Sequence, residues 1–352
     1  MINPATVSLG NIGDSGSLTV TTQAGCPWSA SSDAAAFLSF ADGSNRIGSG
    51  TVGFTTTTNF STAARSGTGT VAGVIFTVNQ QALDAARQVR ERARADFNGD
   101  GFSDLLWQDR TNGYLAVWTL QGGHTTKNAV SFGPTVDDTN WRIVGTGDFN
   151  RDGKPDIVWH HRTEGRIYLW YMDGTTRIGH TAFSIYGISG EAWKVVGVGD
   201  FNQDGKPDLV WQHDTLGWLV VWLMDNATLI GGLDMSPGQV DAEWKIAGVA
   251  DLNADGHSDL LWRNNRNGTL GAWLMNGVTR TQYVPLAPEI VDDFDWQIAS
   301  VTDINGDGSA DVVWQHATQG WIAVWYMNGT RRIDYGSFPV AVETNWKIVG
   351  PK

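Results

Sequence analysis

Charge is scarce in this 352-residue chain, at 17% Asp, Glu, Lys and Arg, and a single cysteine is present. The lone Cys26 excludes an internal disulfide framework, and beside Trp28 it reads as a small buried hydrophobe. No apolar run approaches the roughly 18 residues that a membrane-spanning helix needs. The opening Met1-Ile2-Asn3-Pro4-Ala5-Thr6-Val7 has neither a basic stretch nor an apolar core, so no signal peptide is visible. Export would require a leader already removed, or another route. There is no Gly-x-Ser-x-Gly, no Cys/His pair and no phosphate-cradling loop. Beyond residue 95 glutamate is confined to Glu164, Glu191, Glu243, Glu289 and Glu343, three of which recur just before a repeated Trp. A glycosidase needs paired carboxylates at a set separation that break any repeat. Catalysis is therefore not expected.

What the chain has in excess is Gly (43) and Trp (18), a composition that favours short strands joined by tight turns. It also has five copies of one acidic loop, 51 or 52 residues apart, all reading D-[FIL]-N-x-D-G-x-x-D. They start at Asp96, Asp148, Asp200, Asp251 and Asp303. A fixed period of that size marks one supersecondary unit used repeatedly. Carboxylates at positions 1, 5 and 9, with Asn at 3 and a backbone carbonyl at 7, form a hard-oxygen set suited to Ca²⁺. The expected ligands are Asp96, Asn98, Asp100, Phe102 and Asp104 in the first loop. The second and third supply Asp148, Asn150, Asp152, Lys154, Asp156 and Asp200, Asn202, Asp204, Lys206, Asp208. The last two supply Asp251, Asn253, Asp255, His257, Asp259 and Asp303, Asn305, Asp307, Ser309, Asp311. Phe102, Lys154, Lys206, His257 and Ser309 enter through their carbonyls. An EF-hand would need Glu at position 12 and flanking helices; position 12 here is Trp107 and its equivalents, within a strand. About five ions, structural in role, are expected.

The net charge of −13 follows from these loops. They hold 15 of the 37 acidic residues, and the other 22 nearly balance the 24 Lys and Arg; five divalent ions would leave about −3. The acidity is ligand charge rather than a polyanionic surface, and nucleic acid is not an expected partner.

Each loop leads into an apolar strand ending in Trp (Trp107, Trp159, Trp211, Trp262, Trp314). A Gly turn follows, then a strand with a second Trp (Trp118, Trp170, Trp222, Trp273, Trp325). After a variable segment, a third Trp opens a strand of the Trp-Lys-Ile-Val-Gly type (Trp141, Trp193, Trp244, Trp296, Trp346). Four short strands per repeat is the size of one propeller blade. The expected fold is all-β: a five-bladed propeller over 96–352, with blades near 96–147, 148–199, 200–250, 251–302 and 303–352. The spare terminal strand at Trp346 would complete the first blade and remove the open edges. These loops and blades resemble the FG-GAP/VCBS type of calcium-binding propeller repeat, a family that includes integrin headpieces and several lectins. The resemblance implies structural ions without a catalytic role.

Residues 1–80 lack the repeat and alternate short β-rich runs with Gly, Ser and Asn turns, as in Ser17–Val20, Phe37–Phe40, Thr51–Phe54 and Gly73–Val78. This predicts a small antiparallel sandwich. Gly25-Cys26-Pro27-Trp28, Gly50-Thr51-Val52-Gly53-Phe54 and the closing Phe76-Thr77-Val78-Asn79-Gln80 resemble the BACON domain, an immunoglobulin-like module of bacterial secreted proteins. That resemblance implies a spacer or carbohydrate-associated attachment. Residues 81–95 are rich in helix formers with neither Gly nor Pro, and predict a helical linker.

Aromatic faces beside amides and imidazoles suit sugars. Candidate ligand residues are Gln108, His160, Gln212, Arg263 and Gln315, each next to a first Trp, together with Trp218 and Trp321, which the repeat does not demand. The leading reading is a secreted or surface-exposed, lectin-like recognition protein with shallow sites between blades, strengthened by avidity. Protein adhesion or fibre assembly is the alternative. It is favoured by segments 121–140, 174–190, 225–242, 276–294 and 329–345, which differ in every repeat. Millimolar extracellular calcium suits loops of modest affinity.

Overall fold

Strand-forming runs separated by Gly turns leave the chain almost wholly in short β-strands. The computed structural model describes residues 1–9, 15–41, 46–57, 59, 63–82, 94–184 and 192–352. Two units are resolved, Met1–Ala86 and Arg87–Lys352. Most of the 81–95 segment, residues 83–93, lies outside the described residues; Arg94 and Ala95 have helical backbone.

The first unit holds β1 (Ile2–Asn3), β2 (Thr6–Leu9), β3 (Ser15–Val20), β4 (Pro27–Trp28), β5 (Ala30–Ser32), β6 (Leu38–Phe40), β7 (Arg46–Ile47), β8 (Gly50–Thr56), β9 (Arg65–Val71) and β10 (Val74–Gln80). Eight of them form two four-stranded sheets, in the orders β1-β3-β8-β6 and β2-β10-β9-β5, and β4 pairs with β7. The period-2 pattern of β8 sends Val52 and Phe54 inward. There they share one core with Leu18 and Val20 from their own sheet and with Val71, Phe76 and Val78 from the other. Cys26 is half-buried, not enclosed as expected, because it sits in the turn ahead of β4 and Trp28 takes the interior place.

Among its described residues the second unit has five sets of four antiparallel strands, the third, fourth and fifth sets joined by single parallel bridges between their outer strands, Ser236 to Thr279 and Ala287 to Arg331. Four come from consecutive strands. The second sheet is β14 (Trp141–Gly147), β15 (Asp156–His161), β16 (Ile167–Asp173) and β17 (Thr176–Ala182). The third is β18 (Trp193–Gly199), β19 (Asp208–His213), β20 (Trp218–Asp225) and β21 (Thr228–Gln239). The fourth is β22 (Trp244–Ala250), β23 (Asp259–Asn264), β24 (Thr269–Asn276) and β25 (Thr279–Ile290). The fifth is β26 (Trp296–Thr302), β27 (Asp311–His316), β28 (Ile322–Asn328) and β29 (Arg331–Ser337). The first sheet has β11 (Leu105–Asp109), β12 (Leu115–Leu120) and β13 (Thr126–Phe132), and takes its fourth strand from the far end of the sequence. That strand is β30 (Trp346–Gly350), paired antiparallel to β11 with Trp107 opposite Ile348 and Asp109 opposite Trp346. The sheets are thus offset by one strand from repeats counted from their loops: each third-Trp strand belongs to the sheet that follows it.

The third-Trp strands β14, β18, β22, β26 and β30 lie side by side in that order, and β30 also neighbours β14. A small residue at one shared position, Gly in four strands and Ser300 in β26, explains how they come so close. A Cβ added at Gly145, Gly197 or Gly248 would come within 2.4 Å of the Val198, Val249 or Val301 side chain of the next strand. Residues 351 and 352 run on among these strands. The Val301 N–H and Ser300 hydroxyl donate to the Pro351 carbonyl (3.4 and 2.7 Å), and the Val198 N–H donates to that of Lys352 (3.1 Å).

Between sheets sit the first Trp residues, each at most 2% exposed, and each tilted onto the second Trp of its sheet at 4.4–4.8 Å between ring centroids. All five buried indole N–H groups lack an acceptor. An unmet donor costs about 1–3 kcal/mol. Burying roughly 200 Å² of Trp returns about 5 kcal/mol at ~25 cal/mol per Å², so packing outweighs the lost hydrogen bond.

Removing residues 346–352 should bare one edge of β11 and withdraw Ile348 and Val349 from the core. At about 1.5–3 kcal/mol for each buried aliphatic side chain, a stability loss of about 3–6 kcal/mol is expected. Urea denaturation reads it directly, and an unchanged midpoint would show the pairing to be dispensable.

Candidate functional site

The five acidic loops fold alike, and their side chains divide into two groups. The first-position carboxylate faces into the turn. Asp96 Oδ1 accepts the Asp100 N–H (3.1 Å) and its Oδ2 accepts the Gly101 N–H (2.7 Å). The third-position amide oxygen of Asn98 accepts that same Asp100 N–H at 2.8 Å, while its Nδ2 donates to Asp100 Oδ2. Asp148, Asp200, Asp251 and Asp303 repeat the first contact, and Asn150, Asn202, Asn253 and Asn305 the second. Positions 1 and 3 therefore converge on one N–H, with position 5 alongside. The chain reverses through a left-handed Gly at position 6, φ +96° at Gly101.

The ninth-position Asp does something else. Asp104, Asp156, Asp208, Asp259 and Asp311 are all 0% exposed. Each accepts a loop N–H on Oδ2, from Phe97, Phe149, Phe201, Leu252 or Ile304 (2.9–3.1 Å). Each also accepts a strand N–H on Oδ1, from Leu120, Met172, Met224, Met275 or Met327 (2.8–3.0 Å). Burial raises their carboxyls to about 7 at Asp104, Asp156 and Asp259, to about 6 at Asp208, and well above the usual range at Asp311. The other loop aspartates add to these shifts.

The donor set suits a hard cation in kind, since each accepting carboxylate oxygen keeps a second lone pair. The three carboxylates of a loop are not drawn to one point, however. Among the described residues, Asp293, Asp295 and His316 form the group whose donor atoms all lie within 4.8 Å, and no loop triad does so. Positions 1, 3 and 5 cluster at the turn, while position 9 accepts one loop and one strand amide. At position 7, the N–H of Phe102, Lys154, Lys206, His257 or Ser309 donates to the position-5 carboxylate. The Lys154 and Lys206 ammoniums reach outward to Asp173 and Asp225.

The Asp293, Asp295 and His316 group does not suit a metal. His316 Nδ1 accepts the Gln319 N–H at 3.2 Å, so in the neutral ring Nε2 carries the proton and faces Asp293 at 3.6 Å. His161 repeats this, with Nδ1 accepting the Glu164 N–H and Nε2 at 2.9 Å from Asp138. These histidines cap the turn after the first strand, as Asp109 and Asn264 do in their sheets.

The polar residues beside each first Trp are buried and face no ligand, which corrects the expectation for Gln108, His160, Gln212, Arg263 and Gln315. Gln108, Gln212 and Gln315 each bridge to the next sheet. Their Nε2 donates to the carbonyl of Trp141, Trp244 or Trp346 (2.7–2.9 Å), and their Oε1 accepts the N–H of Ile143, Ile246 or Ile348 (3.0–3.3 Å). Arg263 makes the corresponding link to the carbonyls of Trp296, Val291 and Asp293. His160 is too short for it, and its buried Nε2 has no partner. Alternation along a strand could have placed these residues on the interior face, had the preceding Trp been assigned to an inter-sheet layer.

Trp218 and Trp321 are where a ligand could meet them, 46% and 53% exposed. Sequence reading missed Tyr114, 53% exposed at the matching place in the first sheet; its position just after the turn Gly was the available signal. An open cleft of about 440 Å³ lies beside Trp218, lined also by Trp193, Val220, Asp234 and Gln239. Another of about 270 Å³ lies in the fourth sheet between Trp244, Trp273, Tyr283 and Arg280.

Residues 96–159, 148–211 and 251–314 match the FG-GAP-like repeat, together just over half of the chain. The chain belongs to that family. No curated protein sequence matches it. Among solved structures, a Bacteroides ovatus GH5 xyloglucanase in complex with a XXXG heptasaccharide is 18% identical over 22% of this chain and 17% of its own (TM-score 0.20). The Photorhabdus luminescens Tc holotoxin pore is 16% identical over 74% and 16% (TM-score 0.33). An auxiliary nutrient binding protein from Bacteroides ovatus is 9% identical over 96% and 84% (TM-score 0.34). This chain spans less than a fifth of the length of the first two. These TM-scores are too low to carry a shared function to the FG-GAP-like chain.

The bridges give two expectations. Gln212→Ala leaves the Trp244 carbonyl and Ile246 N–H without their partner and should cost about 2–3 kcal/mol in urea denaturation; no loss would reject the bridging role. Burial, with Lys194 and His161 nearby, pushes His160 down to about 4. Unfolded imidazole titrates near ~6.5. Stability from the neutral ring is therefore full above about 6.5 and is lost as pH falls through about 4, by up to about 3 kcal/mol. His160→Gln, supplying the amide found in three other sheets, should flatten that acid-side fall. A melt that keeps the same pH slope in the variant would assign the fall to other groups.

Proposed function

We propose that this chain is a non-enzymatic extracellular recognition protein whose repeats form a closed five-bladed propeller that binds glycans. Supporting closure, β30 completes the first sheet and the innermost strands neighbour one another in a cycle. The observation that carries recognition is the contrast among tryptophans: the fifteen repeated residues are buried or half-buried, whereas Trp218 and Trp321 stand exposed. The fold gains little from such surface rings, and a pyranose face is a natural partner for them. The first unit acts as an immunoglobulin-like spacer of the BACON type.

Calcium stabilises the propeller in this reading. Positions 1, 3 and 5 of each loop would hold the ion with the position-7 carbonyl, and the ion would supply positive charge against three carboxylates. The ninth Asp fixes the loop to the strands behind it. Protein adhesion is the second reading, favoured by apolar side chains on the outermost strands: Ile178, Ile230 and Ile333 are 59%, 53% and 54% exposed.

A glycan array probed with Ca²⁺ and again after EDTA, with melting temperatures in both, tests these parts separately. Glycan binding and a melting point lowered by several degrees in EDTA are expected. A large shift without any glycan bound would move the assignment to a protein partner. No shift would remove calcium from the account. Replacing Asp152 by Ala should lower the calcium content of the purified protein by one ion per chain, by elemental analysis; an unchanged content would empty that loop.

A further inference from the structure

The third sheet departs from the second and fifth in two ways that meet at one place. Its outermost strand β21 is twelve residues long, against seven in the second and fifth sheets. The extra length is a bulge: Trp218 lies opposite Gln239 and Val220 opposite Asp234, so one residue of β20 faces four of β21. Met235 anchors the bulge by burying its side chain, 3% exposed. This raises Asp234 and Gln239 as a rim beside the exposed Trp218 ring, over a floor of Val220 and Trp193.

The second departure is missing bulk. In the second, fourth and fifth sheets an arginine from the outermost strand lies over the second Trp at 4.7–4.9 Å: Arg177 on Trp170, Arg280 on Trp273 and Arg332 on Trp325. The strand residue paired with that Trp is His180, Tyr283 or Tyr335. In the third sheet the corresponding residues are Leu229 and Gly232. In the fourth sheet the Tyr283 ring lies over Gly271, the counterpart of Val220 in the third. The fourth sheet has the same long, bulged outer strand, but the Tyr283 ring lies so near Gly271 that an added Cβ would meet it at 2.4 Å. The fourth sheet also has Thr269 where the third has Trp218. The fifth has Trp321 but a short outer strand. Among the described residues, the exposed Trp and the opened rim coincide in the third sheet.

We infer that this cleft is the glycan site, one per chain, and that it takes a neutral or amino-bearing pyranose in preference to a uronate. The inference rests on the recognition reading above and locates it. Trp218 supplies the stacking face. Gln239 donates from Nε2 to the Leu216 carbonyl at 2.8 Å, which leaves its Oε1 to accept a ligand hydroxyl. The exposed Asp234 carboxylate accepts hydroxyl or ammonium hydrogens and repels an anionic sugar. Repeated equal sites, and the avidity they would bring, are not part of this assignment.

The test uses the full chain with Ca²⁺ on an array of neutral, amino-sugar and uronate oligosaccharides, followed by calorimetric titration of the strongest binder. Trp218→Ala should weaken binding at least tenfold, and Val340→Ala, at an exposed side chain away from the cleft, should leave it unchanged. Gln239→Ala keeps Trp218 and removes the amide acceptor at the rim of the cleft, with folding checked by melting. It should also weaken binding at least tenfold, and stoichiometry should be one. Asp234→Asn should narrow the preference against uronates. Binding that survives both Trp218→Ala and Gln239→Ala, or is lost equally in Val340→Ala, overturns the site while leaving glycan recognition standing. A wild-type chain that binds no oligosaccharide overturns the recognition reading itself, and the site with it.

Discussion

A carboxylate with no exposure to solvent, accepting one N–H from its own loop and one from the next strand, lies at the base of every sheet in the repeat array. Asp104 joins Phe97 to Leu120, and Asp156, Asp208, Asp259 and Asp311 do the same in turn. Hydrogen bonds to a charged acceptor contribute about 1.5–3 kcal/mol each, against the cost of desolvating the charge. These bonds fix where the first strand begins, and with it the register that sends Trp107 and its equivalents into the layer between sheets. Burial, with the other loop aspartates, holds this acid where ionisation is difficult.

Once the sheets are fixed, two contacts set how they stack. Small residues on the third-Trp strands admit a valine from the next strand, and the Gln bridges meet a carbonyl and an N–H of the neighbouring sheet. The last bridge, from Gln315, reaches Trp346 and Ile348 on β30, so the end of the chain is held by the same chemistry as the sheets before it. Where the pattern lapses, as at His160, a buried nitrogen is left without a partner.

Much of this was legible from spacing. The recurrent loop, the three Trp positions and the spare terminal strand gave the strand order and the pairing partner of β11. The first-strand polar residues were misread because Gln, His and Arg beside Trp look the same in a sugar site and in an inter-sheet bridge. What separates the two is whether the side chain ends at solvent or at a neighbouring backbone. The ninth Asp was grouped with the other loop acids for the same reason: spacing gives its chemistry but not its direction.

The sequence by itself determined the repeat, the all-β class and the kinds of donor present, because periodicity and side-chain type are local properties of the chain. Tertiary structure decided which polar side chains are consumed in holding sheets together and which remain at the surface. It alone set the bulge of β21 beside Trp218. Those outcomes depend on contacts between residues far apart in sequence, and no local pattern encodes the distance between them.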